Sequence, residues 1–291
     1  MMKKLSKPLP DTNPKDIFVE CVNGYVDKGK TEKLLRCKEL VSIDSTKYDK
    51  HVPSSIHQFS ASTLPDDVSK DELSLVYTQK FAAQDSPGRK YYNAIKEQAP
   101  RGICPICGIR MVNTLDHYLP KSKVPTLAVT PNNLIPSCRD CNTDKRADMS
   151  LEPSNTPVHI YCDDIPNEPW LYVKLDDKLE AMYYIACPES WDSDLRSRLE
   201  NHLNCYKLHS LYSSHAAQEI ADKISMWETL VTAGGLEQLY LIIEAECKSI
   251  ELNDINSWKA ALYRGLKSNF EKVKGFLFTQ KIKAVKHEPN Q

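Results

Sequence analysis

The residues best suited to chemistry are four cysteines arranged as two CxxC pairs. Cys104 and Cys107 form the first pair, and Cys138 and Cys141 form the second, with 30 residues between the pairs. Each CxxC turn lets two sulfurs face one ion, so the four thiolates can bind a single tetrahedral Zn²⁺. Four-cysteine zinc sites are usually structural, and a bare zinc ribbon without catalysis is therefore an open alternative from the cysteines alone.

A carboxylate and an imidazole stand side by side between the two pairs. These residues are Asp116 and His117. An amide side chain, Asn142, directly follows the last cysteine. Hydrolysis of a phosphodiester needs a base that activates water and a divalent cation that neutralises the phosphate. A neutral histidine is such a base near pH 7, and the oxygens of Asp116 and Asn142 are hard ligands suited to Mg²⁺. The alternative is that the Asp–His pair makes an ordinary structural hydrogen bond.

Basic side chains follow the Asp–His pair and the second cysteine pair. Lys121, Lys145 and Arg146 flank the proposed site, and we predict that they contact substrate phosphates. For each of them singly, a solvated charged face is an equally good explanation. The formal net charge of the chain is −1, so a surface for nucleic acid would be local rather than spread over the protein.

The scaffold before this segment is predicted to be helical. Residues 1–15 have the composition of a loose tail, whereas apolar residues recur at helical spacing over 30–39 and 70–83. Another helix is expected between Pro87 and Pro100. From 102 to 157 prolines and asparagines are dense and apolar runs are short. That texture is typical of a loop-rich element that a metal, rather than a large core, holds together.

The chain after the cysteines is predicted to contain a hairpin and then helices. Strands are expected over 170–175 and 180–186, with a turn between them. Helical spacing resumes after Ser190, with a helix stop at Gly234–Gly235. Two more helices are expected near 236–250 and 255–282, and Asn253–Asp254 is predicted to provide a cap between them.

The segment 104–148 resembles the HNH, or ββα-metal, nuclease motif. The resemblance rests on Asp116–His117, Asn133 and Asn142 together with the flanking CxxC pairs, and the last histidine of the motif is here an asparagine. It implies a two-stranded hairpin followed by a helix around one divalent metal. The expected fold class is therefore mainly α, and α+β overall, with a small ββα-metal (HNH) element stabilised by a four-cysteine zinc site.

The resemblance also implies a role for each residue of the motif. His117 corresponds to the general base, and Asp116 and Asn142 correspond to ligands of a catalytic Mg²⁺ or Mn²⁺. Asn133 corresponds to the middle residue of the motif, which holds the loop and orients the base. Cys104 and its three partner cysteines correspond to the ligands of a structural Zn²⁺, which is closed to water.

Three regions are expected along the chain. Residues 1–100 form an N-terminal helical region, and 101–157 form the HNH element. Residues 158–291 form the short β-hairpin and a C-terminal helical region. The motif predicts which reaction takes place, while the two flanking regions are expected to decide the target.

The function expected from these features is that of a metal-dependent endonuclease acting on DNA. One alternative is a non-catalytic zinc module that binds nucleic acid or protein. Another is a nuclease subunit that is active only with an ATPase or sensor partner. The layout and the LDHYLPKSK stretch resemble HNH proteins of bacterial anti-phage defence, such as the nuclease subunit of the Septu system. The chain has no glycine-rich nucleotide-binding fingerprint of its own, so nothing supports an ATPase function.

The location expected from the sequence is cytoplasmic. The basic N-terminus has no apolar run behind it, and no stretch of about 18 apolar residues occurs. We therefore expect neither a signal peptide nor a membrane span. The sequence does not distinguish DNA from RNA as the substrate, or nicking from double-strand cleavage. It also does not indicate a sequence preference or an oligomeric state.

Overall fold

A computed structural model of the 291-residue chain describes residues 4–145 and 152–286. Arg146, one of the predicted phosphate contacts, lies outside the described residues. The chain divides into two compact units, with the division between Ile165 and Pro166. The predicted region boundaries at 100/101 and 157/158 stay predictions.

The first unit consists of short helices around one small hairpin. Its elements are α1 (Pro14–Asn23), α2 (Lys28–Leu35), α3 (Lys38–His51), α4 (Lys70–Val76), α5 (Arg89–Lys96), β1 (Thr114–His117), β2 (Leu134–Ser137) and α6 (Arg139–Asp144). A π-helical turn, Tyr77–Phe81, continues α4. The predicted tail ends at Pro14, because the Asn13 side chain accepts a hydrogen bond from the Lys15 backbone and starts α1 there.

The hairpin and the N-terminal helices share one apolar core. Leu115 of β1 and Leu134 of β2 are buried in the same cluster as Phe18 of α1 and Phe81 after α4. Burying each such side chain contributes about 1.5–3 kcal/mol relative to leaving it exposed. The helices therefore form the surface against which the hairpin is held.

The hairpin and the helix after it have the order that the motif predicts. β1 pairs antiparallel with β2, in a register that runs from Thr114 opposite Ser137 to His117 opposite Leu134. α6 begins two residues after β2 and packs against β1. This ββα arrangement within a mainly helical protein confirms the predicted fold class.

The second unit is a hairpin followed by helices. Its elements are β3 (Leu171–Leu175), β4 (Ala181–Ile185), α7 (Ser193–Cys205), α8 (Leu208–Asn253), α9 (Trp258–Ser268) and α10 (Phe270–Lys286). β3 and β4 pair antiparallel, which confirms the two predicted strands. In the part of the chain that the structure describes, none of the helices combines the length and apolar character needed to cross a membrane.

The helical run α8 is broken at Gly235, which has φ +77° and ψ −179°. The Nζ of Lys223 lies 2.6 Å from Oε1 of Glu246. In one straight helix, residues that far apart in sequence would be separated by about 35 Å. The two arms of α8 therefore run antiparallel, and the predicted helix stop at Gly234–Gly235 is confirmed.

A cap does lie at Asn253–Asp254 between the two helices, but it is the C-cap of α8, where the Asp254 backbone N–H donates to the Ile250 carbonyl, and not the N-cap of α9. α9 begins later, with Ser257 as its N-cap, whose hydroxyl accepts from the backbone N–H of Ala260. Asp254 instead accepts from the backbone N–H of Asn256 and so shapes the turn between the two helices. Asp and Ser are both good N-cap residues, so residue type alone did not distinguish them.

Candidate active site

The four cysteines of the two CxxC pairs meet in one buried cluster. Their Sγ atoms all lie within 4.8 Å of one another, at Cys104, Cys107, Cys138 and Cys141. Tetrahedral Zn²⁺ with Zn–S bonds of about 2.3 Å needs sulfurs roughly 3.8 Å apart. The cluster therefore has the right donors at nearly the right spacing for one structural zinc ion.

Electrostatics also favours a cation within the cluster. Hydrogen bonding with the Cys104 thiol lowers the pKa of Cys107 to about 7, whereas the neighbouring thiols raise the pKa of Cys141. Buried thiolates repel one another, so four of them cannot ionise together without a compensating charge. A divalent cation supplies that charge and binds all four as thiolates.

The first cysteine turn is shaped by a glycine and by backbone donors. Gly108 has φ +67°, a conformation that suits glycine, and its N–H donates to the Cys104 carbonyl at 2.8 Å. The backbone N–H of Arg110 points to Sγ of Cys107 at 3.5 Å. Such N–H donors stabilise a thiolate, so the local backbone prepares this turn for metal binding.

The second cysteine pair forms the beginning of α6. Cys138 is the N-cap of this helix, and its Sγ accepts from the backbone N–H of Cys141 at 3.4 Å. An ion pair of 2.9 Å between Nε of Arg110 and Oδ2 of Asp140 joins the two turns. The start of α6 is thus fixed to the cluster, and the cluster determines where the rest of the helix lies.

His117 ends β1 and is held in one orientation. Its Nε2 lies 2.9 Å from the carbonyl oxygen of Ala128, and its ring meets Tyr77 edge-on with centroids 4.4 Å apart. Because a carbonyl only accepts, Nε2 carries the hydrogen, and in the neutral ring Nδ1 has a free lone pair. Burial lowers the pKa of His117 to about 3, so the imidazole is neutral at pH 7.

Asn133 holds the loop that carries this carbonyl. The side chain is fully buried, and its Oδ1 accepts from the Leu119 N–H at 2.7 Å. Its Nδ2 donates to the Leu119 carbonyl at 3.0 Å and to the Leu127 carbonyl at 3.2 Å. One amide therefore fixes both ends of the loop between His117 and Ala128.

Helix α3 supports the same loop through a buried carboxylate. Asp44 is fully buried and accepts from Oγ1 of Thr126 at 2.6 Å and from the backbone N–H of Ser62. Beside it, the hydroxyls of Ser45 and Thr130 are 2.8 Å apart. Asp44 and Tyr77 are functional residues that the sequence pattern does not predict for the site. Their partners lie tens of residues away, and nothing in their local pattern marks them.

Asp116 is buried and paired with Lys145. The two side chains are 7% and 2% exposed, and Nζ of Lys145 lies 2.8 Å from Oδ2 of Asp116. The same ammonium donates to the backbone carbonyl of His117. Burial raises the pKa of Asp116 above its ordinary value, while the lysine opposes that rise. The structure thus places Lys145 inside the site.

The other predicted site residues lie nearer the surface. Asn142 is exposed on α6, one residue after the last cysteine. Lys121 is partly exposed, and Ser74 holds its backbone carbonyl at 2.9 Å. The structure therefore brings Asp116, His117 and Lys145 together, with Asn142 on the helix that packs against them.

Comparison with known proteins supports the motif. Residues 104–148 match the family model described as HNH endonuclease, which suggests a nuclease element in this segment. Over 293 residues the chain is 26% identical to protein ea31 of Escherichia phage lambda, covering 94% of this chain and 95% of that protein. No solved structure matches the chain.

The family match confirms the predicted HNH element. It does not show the expected similarity to the nuclease subunit of the Septu system. A role in defence, an ATPase partner and a cytoplasmic location all stay predictions.

Proposed function

We propose that the protein is a metal-dependent endonuclease that hydrolyses DNA phosphodiester bonds, with His117 as its general base. The observation that carries this proposal is the orientation of His117, whose Nε2 is tied to Ala128 while Nδ1 keeps its lone pair. His117 directly follows the buried Asp116 in β1, within the segment that matches the HNH family. A zinc module that only binds would need neither feature.

The residues present fit a catalytic divalent cation. Asp116 already holds one positive group, the Lys145 ammonium, and Asn142 offers an amide oxygen from the exposed face of α6. Carboxylate and amide oxygens are the donors that Mg²⁺ and Mn²⁺ prefer. When bound, the cation would neutralise charge on the scissile phosphate.

His117 would take the proton of the attacking water at Nδ1. The Ala128 carbonyl then stabilises the imidazolium that forms, because it already accepts the Nε2 hydrogen. Tyr77 limits rotation of the ring from its edge-on position. Lys121 and Arg146 would contact neighbouring phosphates and position the strand.

The zinc cluster would have a separate, structural role. Four thiolates close its coordination sphere, so no position is left for water or substrate. Its function would be to hold β1, β2 and α6 in place around Asp116 and His117.

Replacing His117 with alanine tests the mechanism. Supercoiled plasmid, linear DNA and RNA are incubated with Mg²⁺, Mn²⁺ or chelator. Loss of a general base lowers the cleavage rate by about 10²- to 10⁴-fold. Zinc content and circular dichroism should match those of the wild type. His57→Ala is the control, since His57 is an exposed histidine of the same unit.

Each outcome separates the alternatives. Cleavage by the His117→Ala variant at the wild-type rate would contradict the proposed base. Binding of nucleic acid without cleavage under every metal condition would favour the non-catalytic zinc module. Cleavage of RNA alone would correct the substrate and leave the mechanism in place.

A further inference from the structure

Lys145 has an environment unlike that of a surface phosphate contact. Its side chain is 2% exposed, and its ammonium bonds both the Asp116 carboxylate and the His117 carbonyl. It also lies 5.8 Å from the centroid of the Tyr118 ring. The ammonium is therefore surrounded by groups that bind cations.

The carboxylate that Lys145 neutralises is the proposed metal ligand. A buried carboxylate is stable as an anion only with a positive partner, and Lys145 supplies that charge here. A divalent cation on Asp116 would supply the same charge. Two cations a few ångströms apart in a buried site repel each other strongly, so the lysine and the metal compete for this carboxylate.

We propose that Lys145 is a built-in competitor of the catalytic cation, which holds Asp116 until a divalent metal displaces it. This inference rests on the proposed function, because it takes Asp116 as a metal ligand. The released ammonium is then available to a phosphate oxygen of the substrate, the role that the sequence predicts for it. Lys145 is thus a positioning residue that sets metal affinity.

The position of Lys145 in the chain makes this exchange easy. It is the C-cap residue of α6, joined to the helix by its own N–H to the Cys141 carbonyl. Its flexible four-carbon stem lets the ammonium move while the backbone stays in place. The zinc cluster at the other end of α6 keeps the helix fixed during such a movement.

Mn²⁺ titration of the zinc-loaded protein tests the proposal, with bound Mn²⁺ measured by electron paramagnetic resonance. Lys145→Met keeps the length of the side chain and removes the charge. We expect its Mn²⁺ dissociation constant to fall about tenfold or more below that of the wild type. Lys121→Met is the matched control, since it removes a nearby charge that does not touch Asp116, and its affinity should stay within about threefold.

A further variant identifies the site that is measured. The double variant Asp116→Asn with Lys145→Met should lose the tightened Mn²⁺ binding. If Asp116→Asn leaves wild-type Mn²⁺ binding unchanged, the metal assignment of the proposed function fails. If Mn²⁺ binds through Asp116 but Lys145→Met binds it equally or more weakly, only the competition by Lys145 is overturned.

A second measurement uses the wild-type protein, in case Lys145→Met does not fold. Reductive methylation of lysines is followed by mass spectrometry with and without Mn²⁺. Displacement predicts that Mn²⁺ speeds methylation of Lys145 by about tenfold and leaves Lys121 unchanged. Equal methylation of Lys145 under both conditions would show that the ammonium does not leave Asp116.

Discussion

Replacing Asn133 with alanine should loosen the loop that orients His117. The amide side chain makes three hydrogen bonds to the backbone of Leu119 and Leu127, and it is fully buried. Alanine keeps the backbone of residue 133 and removes all three bonds. The Leu119 N–H and two carbonyls would then be buried without partners.

The size of the effect follows from these three groups. Each buried group left without a partner costs about 1–3 kcal/mol, and partial relaxation of the loop recovers some of that cost. We therefore expect the free energy of unfolding of the first unit to fall by about 3–5 kcal/mol. The Ala128 carbonyl would move with the loop, and misplacing the base by about 1 Å lowers the cleavage rate by roughly 10²-fold.

Amide hydrogen exchange at Leu119 measures the change directly, because this N–H is the donor to Asn133. A loss of about 3–5 kcal/mol speeds its exchange by at least 10²-fold. Intrinsic tryptophan fluorescence is unsuitable, since all four tryptophans of the chain follow residue 165.

Asn132→Ala is the matched control at the adjacent position. The Asn132 amide donates to the exposed carboxylate of Asp49, at 2.8 Å and 3.0 Å to its two oxygens. Losing an exposed interaction of this kind costs less than about 1 kcal/mol. If Asn133→Ala also lost less than about 1 kcal/mol, or if Leu119 exchange were unchanged, the loop would not depend on this amide.

Two further predictions concern zinc and pH. Elemental analysis should find one zinc per chain in the wild type and none in Cys141→Ser. The control Cys162→Ser should keep its zinc, because this thiol lies outside the cluster. Zinc retained by Cys141→Ser would contradict the assignment. His117 has a folded-state pKa of about 3 against an ordinary value of 6.5, so its contribution to stability is present above pH 6.5 and is lost as pH falls towards 3. The free energy of unfolding, measured with urea, should therefore fall between pH 7 and pH 5 by about 2 kcal/mol more in the wild type than in His117→Gln. A difference between the two proteins that does not change with pH would refute the burial argument.

Local spacing made some of the structure predictable. The CxxC pairs predict a four-sulfur cluster, because two cysteines three residues apart in one turn direct their sulfurs to the same point. Gly235 breaks α8 for an equally local reason, since its positive φ suits glycine. Helix α1 was missed, although Asn13–Pro14 is a good helix start, because the residues before it look like a tail.

Long-range pairing could not be predicted from the sequence. Lys145 has the sequence context of a solvated helix end, yet it is buried against a carboxylate 29 residues earlier in the chain. Tyr77 meets His117 across 40 residues, and a π-helical turn places it there. These contacts depend on how α4 and α6 pack around the hairpin, and hydrophobic periodicity carries no information about that packing.

The two proposed metal sites are linked through α6. Alternation along a strand directs Asp116 and His117 to opposite faces of β1, so the strand alone cannot bring them to one substrate. Lys145 contacts one of the two side chains and the backbone of the other residue: its ammonium donates to the Asp116 carboxylate and to the backbone carbonyl of His117. The helix that carries Lys145 starts at a cysteine of the four-cysteine cluster, the proposed zinc site. Loss of zinc should therefore free Lys145 from Asp116 and expose the carboxylate, so the structural ion controls access to the proposed catalytic one.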